Sequence, residues 1–350
     1  MHFFQKIPSQ EKVDFTGSLA MMLKSGVPIN EALKSLADQS RSRLLSTVLA
    51  DVRARVESGS SLSQAMEKHE RLFGSVFISM VKSGEVSGSL VENLSFLASW
   101  LEREHELTTD IRAATLYPKI VIAAAVIIGG ILATVILPKL LPFFEKLHVD
   151  LPLSTRTLLA VSRGVQAYGF FIAAGILILI PAAIFLMRVE NIRRFIHTRM
   201  LRLPIIGSIT QTYQLAILFE LLSTLIRSGV PIRETLASAG NAAGNLAYRD
   251  AFRSIARRVE QGTPFSETLV EFSHLFPKRI ITMVATGEKS GTLDIVFSAM
   301  AEYYTKEVRS ITKRLPMILE PALLVVIALI VGFIALSIIT PIYQFTHGIQ

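Results

Sequence analysis

Two glutamates stand in the same local setting. Gly84-Glu85-x-Ser87-Gly88-x-Leu90 recurs as Gly287-Glu288-x-Ser290-Gly291-x-Leu293. A carboxylate in such a segment either accepts backbone N–H groups at a helix start or meets a partner, and the structural role is the preferred reading. The glycines read as a helix end followed by a restart. Gly84-x-x-x-Gly88 and its copy lack the Lys-Ser/Thr that completes a phosphate-binding loop. They also lie outside the apolar stretches, so they are not a helix-dimerisation motif of a membrane span. A third carboxylate, Glu320, precedes Pro321 at the mouth of an apolar run. At that depth it is costly unless it reaches the headgroups, pairs with a base such as Arg314, or contacts another membrane subunit. The seven histidines (2, 69, 105, 148, 197, 274 and 347) show no metal-ligand spacing, and no His-Glu-x-x-His pair occurs. No nucleophile constellation, metal site or cofactor motif is visible, so the chain does not read as an enzyme.

These residues sit in an internal duplication. Ser25-Gly26-Val27-Pro28-Ile29 returns as Ser228-Gly229-Val230-Pro231-Ile232, an offset of 203. The same offset aligns Val56, Glu57, Gly59 and Ser63 with Val259, Glu260, Gly262 and Ser266, and Pro118 and Pro138 with Pro321 and Pro341. Over 72–90, ten of nineteen positions match without a gap, where chance gives roughly one. Tyr117 is the first-repeat counterpart of Glu320.

Composition says where the units live. Apolar residues make up 51% of the 350, close to a soluble protein, yet the mean hydropathy is +0.47. The excess is concentrated in three uncharged windows, 120–137, 164–187 and 321–345, each long enough to cross a bilayer as a helix. The absence of cysteine excludes a disulfide-stapled domain and thiolate metal centres. The first 30 residues carry Lys6, Glu11, Lys12 and Asp14 and do not form a cleavable signal. Basic residues cluster after the second window (Arg188, Arg193, Arg194, Arg199, Arg202) and before the third (Lys306, Arg309, Lys313, Arg314), and none follows Thr340. By the positive-inside rule, 1–117 and 188–320 are cytoplasmic and the C-terminus lies outside. The expected order is a cytoplasmic domain at 1–117, a span at 118–141, an outer loop at 142–163 and a span at 164–187. A second cytoplasmic domain at 188–320, a span at 321–345 and a tail at 346–350 complete it. Each repeat is a cytoplasmic domain plus an outgoing helix, and the middle span returns the chain.

Both cytoplasmic copies read as all-α, because apolar residues recur at 3.6-type spacing. Gly26 and Gly229 suit the left-handed position after a helix, and Pro28 and Pro231 suit the first turn of the next. Ser61 and Thr263 are candidate caps. The breaks give about six helices per copy, at 10–25, 28–40, 43–58, 62–70, 74–83 and 90–114 in the first, forming two helical bundles. The last helix is expected to continue towards the membrane. The net charge of +8 divides into −1 for 1–117, +3 for 118–187 and +6 for 188–320. The basic second domain suits anionic lipid or an acidic partner. Nucleic acid is not expected, since no stacking aromatic pattern accompanies the charge.

The doubled Ser-Gly-Val-Pro-Ile-x-Glu-x-Leu and Gly-Glu-x-Ser-Gly-x-Leu motifs, with Tyr117-Pro118 and Glu320-Pro321, resemble the inner-membrane platform proteins of type IV pilus assembly and type II secretion. The resemblance covers about 10–345, and the early start of the first repeat is similar to the short forms of that family. It implies a non-enzymatic, homo-oligomeric bacterial inner-membrane protein that meets a cytoplasmic hexameric ATPase through its helical domains. It also implies contact with pilin or pseudopilin helices, and with other assembly subunits, in the membrane. Glu320 would face the pilin amine, and Glu85, Glu288, Tyr117, Pro118 and Pro321 are further candidate contacts. The competing reading is a transporter or channel subunit. It is disfavoured because the spans hold no charge except Glu320 at an edge.

Overall fold

The computed structural model describes residues 7–136, 139, 153–186, 189–204 and 206–347; Pro138 and the first half of the expected outer loop, 142–152, lie outside them. Among the described residues the chain is helical, with no strand. The first repeat contains α1 (Ser9–Lys24), α2 (Ile29–Gln39), α3 (Arg43–Glu57), α4 (Leu62–Glu67), a single turn α5 (Glu70–Phe73), α6 (Ser75–Ser87) and α7 (Leu90–Ile131). A π-helical turn at Leu132–Ile136 extends α7. Then follow α8 (Leu153–Leu186) and α9 (Glu190–Met200). The second repeat contains α10 (Ile206–Arg227), α11 (Ile232–Ala242), α12 (Leu246–Glu260), α13 (Phe265–Val270), α14 (Lys278–Ser290) and α15 (Leu293–His347).

Helix ends follow the glycines. Gly26 has φ +82° and Gly229 +76°. Each closes a Schellman turn: the Val27 N–H donates to the Met22 carbonyl and the Val230 N–H to the Leu225 carbonyl, both at 3.0 Å. Pro28 and Pro231 cap the next helices from just outside the first turn, one residue earlier than expected. Ser61 caps α4 in a reciprocal capping box with Gln64. In the second copy Pro264 occupies the cap and has no side chain to offer, so Thr263 is not the cap.

The expected end of α6 at 83 requires correction. The helix runs to Ser87, and only Gly88, at φ +72°, terminates it; α14 ends likewise at Gly291, φ +71°. Gly84 and Gly287 are therefore helical, and close approach explains them. A Cβ on Gly84 would lie 2.8 Å from the Leu90 Cα, and one on Gly287 would lie 2.7 Å from a Val296 methyl. A hydrogen-bond donor is immured beside Gly84: Asn93 Nδ2 donates to the Met80 carbonyl at 3.1 Å in the buried α6–α7 crossing.

The two homologous helical repeats pack into one unit. Residues Met1–Asp110 and Arg194–Ser310 make one compact unit, while Ile111–Arg193 and Ile311–Gln350 make another. In the first unit, repeat one buries Phe15, Phe73 and Phe77 against one another, with centroids 5.0–6.3 Å apart. Repeat two buries Phe219, Phe265 and Phe297, and Tyr248 and Phe252 around Phe276. Tyr248 donates to the Leu275 carbonyl at 3.0 Å, and burial lifts its hydroxyl pKa far above the ordinary value. Helix α6 of the first repeat packs on α11 of the second.

The second unit carries the membrane helices. Length and apolar content alone would admit α7 with its extension, α10 and α15 as spans. Two-thirds of the apolar window of α10 is buried in the helical unit, so α10 is a core helix. Helix α8 is a further long apolar helix: it is uncharged after Arg163 and exposes Phe171, Leu177, Ile178 and Phe185. It starts at Leu153, so part of the stretch expected as loop is helix. Thr155 and Ser337 are both buried, and Thr155 Oγ1 donates to the Ser337 carbonyl at 2.7 Å, tying α8 to α15. Helices α7 and α15 run without interruption through Pro118 and Pro321. Proline inside a span is tolerated where neighbouring groups satisfy the freed carbonyl.

Candidate functional site

The twin carboxylates lie in the last turns of α6 and α14, not in loops as expected. Each reaches the N-terminus of a short helix. Glu85 accepts from the Leu62 N–H at 2.5 Å with one oxygen; the other takes the Ser63 N–H at 3.1 Å and the Ser63 hydroxyl at 2.5 Å. Glu288 repeats this with the Phe265 N–H at 2.6 Å, the Ser266 N–H at 2.9 Å and the Ser266 hydroxyl at 2.6 Å. The first amides of a helix have no partner within it, and its dipole favours negative charge there. Both oxygens are thus committed inside the fold. This geometry clamps α4 to α6 and α13 to α14, and it explains why Ser63 and Ser266 recur with the glutamates.

A second doubled bond was not foreseen. Glu11 Oε1 accepts from the Ser42 N–H at 2.8 Å and the Ser40 hydroxyl at 2.8 Å. At the equivalent positions, Gln214 Oε1 accepts from the Asn245 N–H at 3.4 Å. The residue types change between copies, so a search for identical residues passes over them.

Between repeats, α7 meets α10 in antiparallel register. Arg227 lies over the Phe96 ring at 5.2 Å, Arg103 Nη1 donates to Glu220 Oε2 at 3.0 Å, and the Thr108 and Tyr213 hydroxyls are 3.0 Å apart. Burial holds the Glu220 carboxyl above the usual range, against the pull of Arg103 and Arg227. Arg309 of α15 donates to Glu106 Oε2 of α7 at 2.7 Å and approaches Asp110 at 3.9 Å. A polar cleft of about 360 Å³ lies between these stems, lined by Ser99, Glu102, Arg103, Glu106, Thr305 and Arg309. In repeat one alone, Lys12 and Glu104 are both half-buried and attract each other; desolvation lowers the lysine pKa and raises that of the glutamate. Lys12 Nζ also donates to the Phe73 carbonyl at 3.3 Å.

Glu320 and Tyr117 are exposed on the membrane-proximal turns of α15 and α7, and Pro118 is buried. Glu320 forms no ion pair with Arg314 among the described residues. No cluster of three metal-ligating side chains occurs among those residues either. The arrangement is thus two helical repeats, each clamped by a carboxylate and joined by charged side chains, whose last helices continue into apolar segments.

Comparison with known proteins gives the same duplication. The model of the family described as Type II secretion system (T2SS), protein F matches twice, at residues 15–138 and 218–341, the two matches displaced by the same 203 residues. The type IV pilus assembly protein PilC of Thermus thermophilus is 34% identical over 94% of this chain and 81% of its own length. The type II secretion system protein F of Aeromonas hydrophila is 33% identical over 96% of this chain and 86% of its own. The type IV pilus assembly protein PilC of Pseudomonas aeruginosa is 28% identical, covering 97% and 91%.

Proposed function

The chain belongs to the type II secretion system protein F family, and from that premise we propose that it is the inner-membrane platform of a type IV pilus or type II secretion machine, coupling a cytoplasmic hexameric ATPase to the insertion of pilin or pseudopilin subunits. One observation carries the reading. Helices α7 and α15 each run unbroken from the helical unit into an apolar span. A continuous helix couples movement of the helical unit to its apolar segment, with Pro118 in α7 and Pro321 in α15 as the places where it can bend. In this reading the helical unit lies on the cytoplasmic side, facing the ATPase, and the C-terminus lies outside, which the basic residues flanking α8 and α15 support. Pilin helices and other assembly subunits meet α7 and α15 within the bilayer, with anionic lipid at the basic flanks, and the platform self-associates. Tyr117-Pro118 and Glu320-Pro321 mark the points where the stems enter the membrane, and Glu320 faces the pilin amine.

Affinity isolation of the full-length chain from detergent-solubilised membranes of its host tests this. The assembly ATPase is expected to co-purify, and Glu320→Gln is expected to retain the ATPase while losing filament assembly. Isolation free of the ATPase under conditions that preserve other inner-membrane complexes contradicts the proposal.

A further inference from the structure

The interface between the repeats is used once per chain, although each repeat carries both of its halves. On α7, Phe96 and Arg103 meet α10; along the same stretch of the helix Trp100 is 7% exposed and Leu107 1%. At the equivalent positions α15 carries Ala299, Tyr303, Lys306 and Ser310, and Tyr303 is 38% exposed. The α10 face that receives α7 includes Thr224, 7% exposed; its equivalent on α1, Met21, is 70% exposed. The same one-sidedness holds elsewhere. Helix α6 packs on α11, while their equivalents α14 and α2 form no comparable packed pair among the described residues. A contact in which one surface meets a different surface is head-to-tail, and such contacts extend from copy to copy until they close.

We propose that the outer face of α1 in one chain receives the stem of α15 from a second copy, repeating between chains the α7–α10 contact made within one. This gives the self-association proposed above a surface. Transferring the antiparallel register by 203 residues sets Ala299 opposite Lys24, Glu302 opposite Met21 and Lys306 opposite Gly17. The charges then agree with the register. Glu302 falls within one turn of Lys24, and Lys306 within one turn of Asp14, so two exposed opposite-charge pairs form in the correct order along antiparallel helices. Glu302 and Lys306 now pair with each other at 2.7 Å on an exposed surface. That bond is worth little, and exchanging it for intermolecular pairs is inexpensive. The central position also suits a closer contact, because Gly17 stands where α10 has Glu220.

The chain has no cysteine of its own, so introduced thiols report without background. Two differently tagged full-length copies, one Met21→Cys and the other Glu302→Cys, are co-expressed in membranes lacking the ATPase and pilins and treated with a short bifunctional maleimide. A mixed-tag cross-linked species is expected, at least fivefold above that from Met21→Cys with Glu260→Cys, an exposed position on α12 outside the proposed contact. A single chain carrying Arg103→Cys and Glu220→Cys supplies the internal reference. If that reference reacts and no mixed-tag species forms, or if the 302 and 260 partners react equally, the proposal is overturned. Because ATPase and pilins are absent, the result does not depend on the assembly role, and failure of that role leaves this contact standing.

Discussion

Glu106 and Arg309 occupy the same position in the two repeats, 203 residues apart, and are hydrogen-bonded to each other at 2.7 Å. Duplication alone would leave like residues facing one another at such a point. Opposite charges at one repeat position make the α7–α15 contact attractive. Both side chains are half exposed, so Arg309→Ala is expected to cost only about 0.2–1 kcal/mol of stability. Arg309→Glu gathers three acids with Glu106 and Asp110 and is expected to cost more, and adding Glu106→Arg should recover most of the loss. Thermal unfolding of the purified chain at low and high salt measures both effects, and high salt should shrink them.

The clamps made by Glu85 and Glu288 predict matched consequences. Glu85→Ala and Glu288→Ala each leave two helix-start amides without their acceptor, at a cost of about 1–3 kcal/mol. Glutamine keeps one acceptor oxygen and should cost less. The check is protease resistance of the helical unit, with the first cuts expected near α4 in one variant and near α13 in the other.

At the α6–α7 crossing, Gly84→Ala and Gly88→Ala separate two causes. Gly88→Ala meets open space and bears only the left-handed backbone strain, about 1 kcal/mol. Gly84→Ala drives a methyl to 2.8 Å from the backbone Cα of Leu90, which cannot rotate away. Its midpoint in a denaturant titration should fall further than that of Gly88→Ala.

Lys12 and Glu104 predict a coupling between single and double variants. Lys12→Met leaves the half-buried Glu104 without its compensating charge and the Phe73 carbonyl without its donor, and is expected to destabilise, whereas adding Glu104→Met is expected to recover part of the loss. A double-mutant cycle by thermal unfolding measures this.

The duplication, the helical class and the stems running into the membrane were legible in the sequence because they rest on local signals: repeated glycines, 3.6-type periodicity and uncharged runs. Gly84 was misread as a helix end because its reason for being glycine is Leu90, across a crossing that spacing alone does not reveal. The segment 153–163 reads as loop in the sequence because Arg156 and Arg163 interrupt its apolar character, yet charges near the end of an apolar helix do not stop it. The joining of the repeats rests on Arg103–Glu220 and Thr108–Tyr213, pairs more than a hundred residues apart that carry no motif. Glu106 and Arg309 did leave a trace, since one repeat position holds opposite charges.

The most direct test of the account is to delete the gene for this chain in its host and count surface filaments or secreted cargo, with ATPase and prepilin levels followed in the same cells. The account predicts that assembly or secretion is abolished while ATPase and processed prepilin persist, and that the intact chain restores it. Normal filaments and normal secretion in the deletion strain would contradict it.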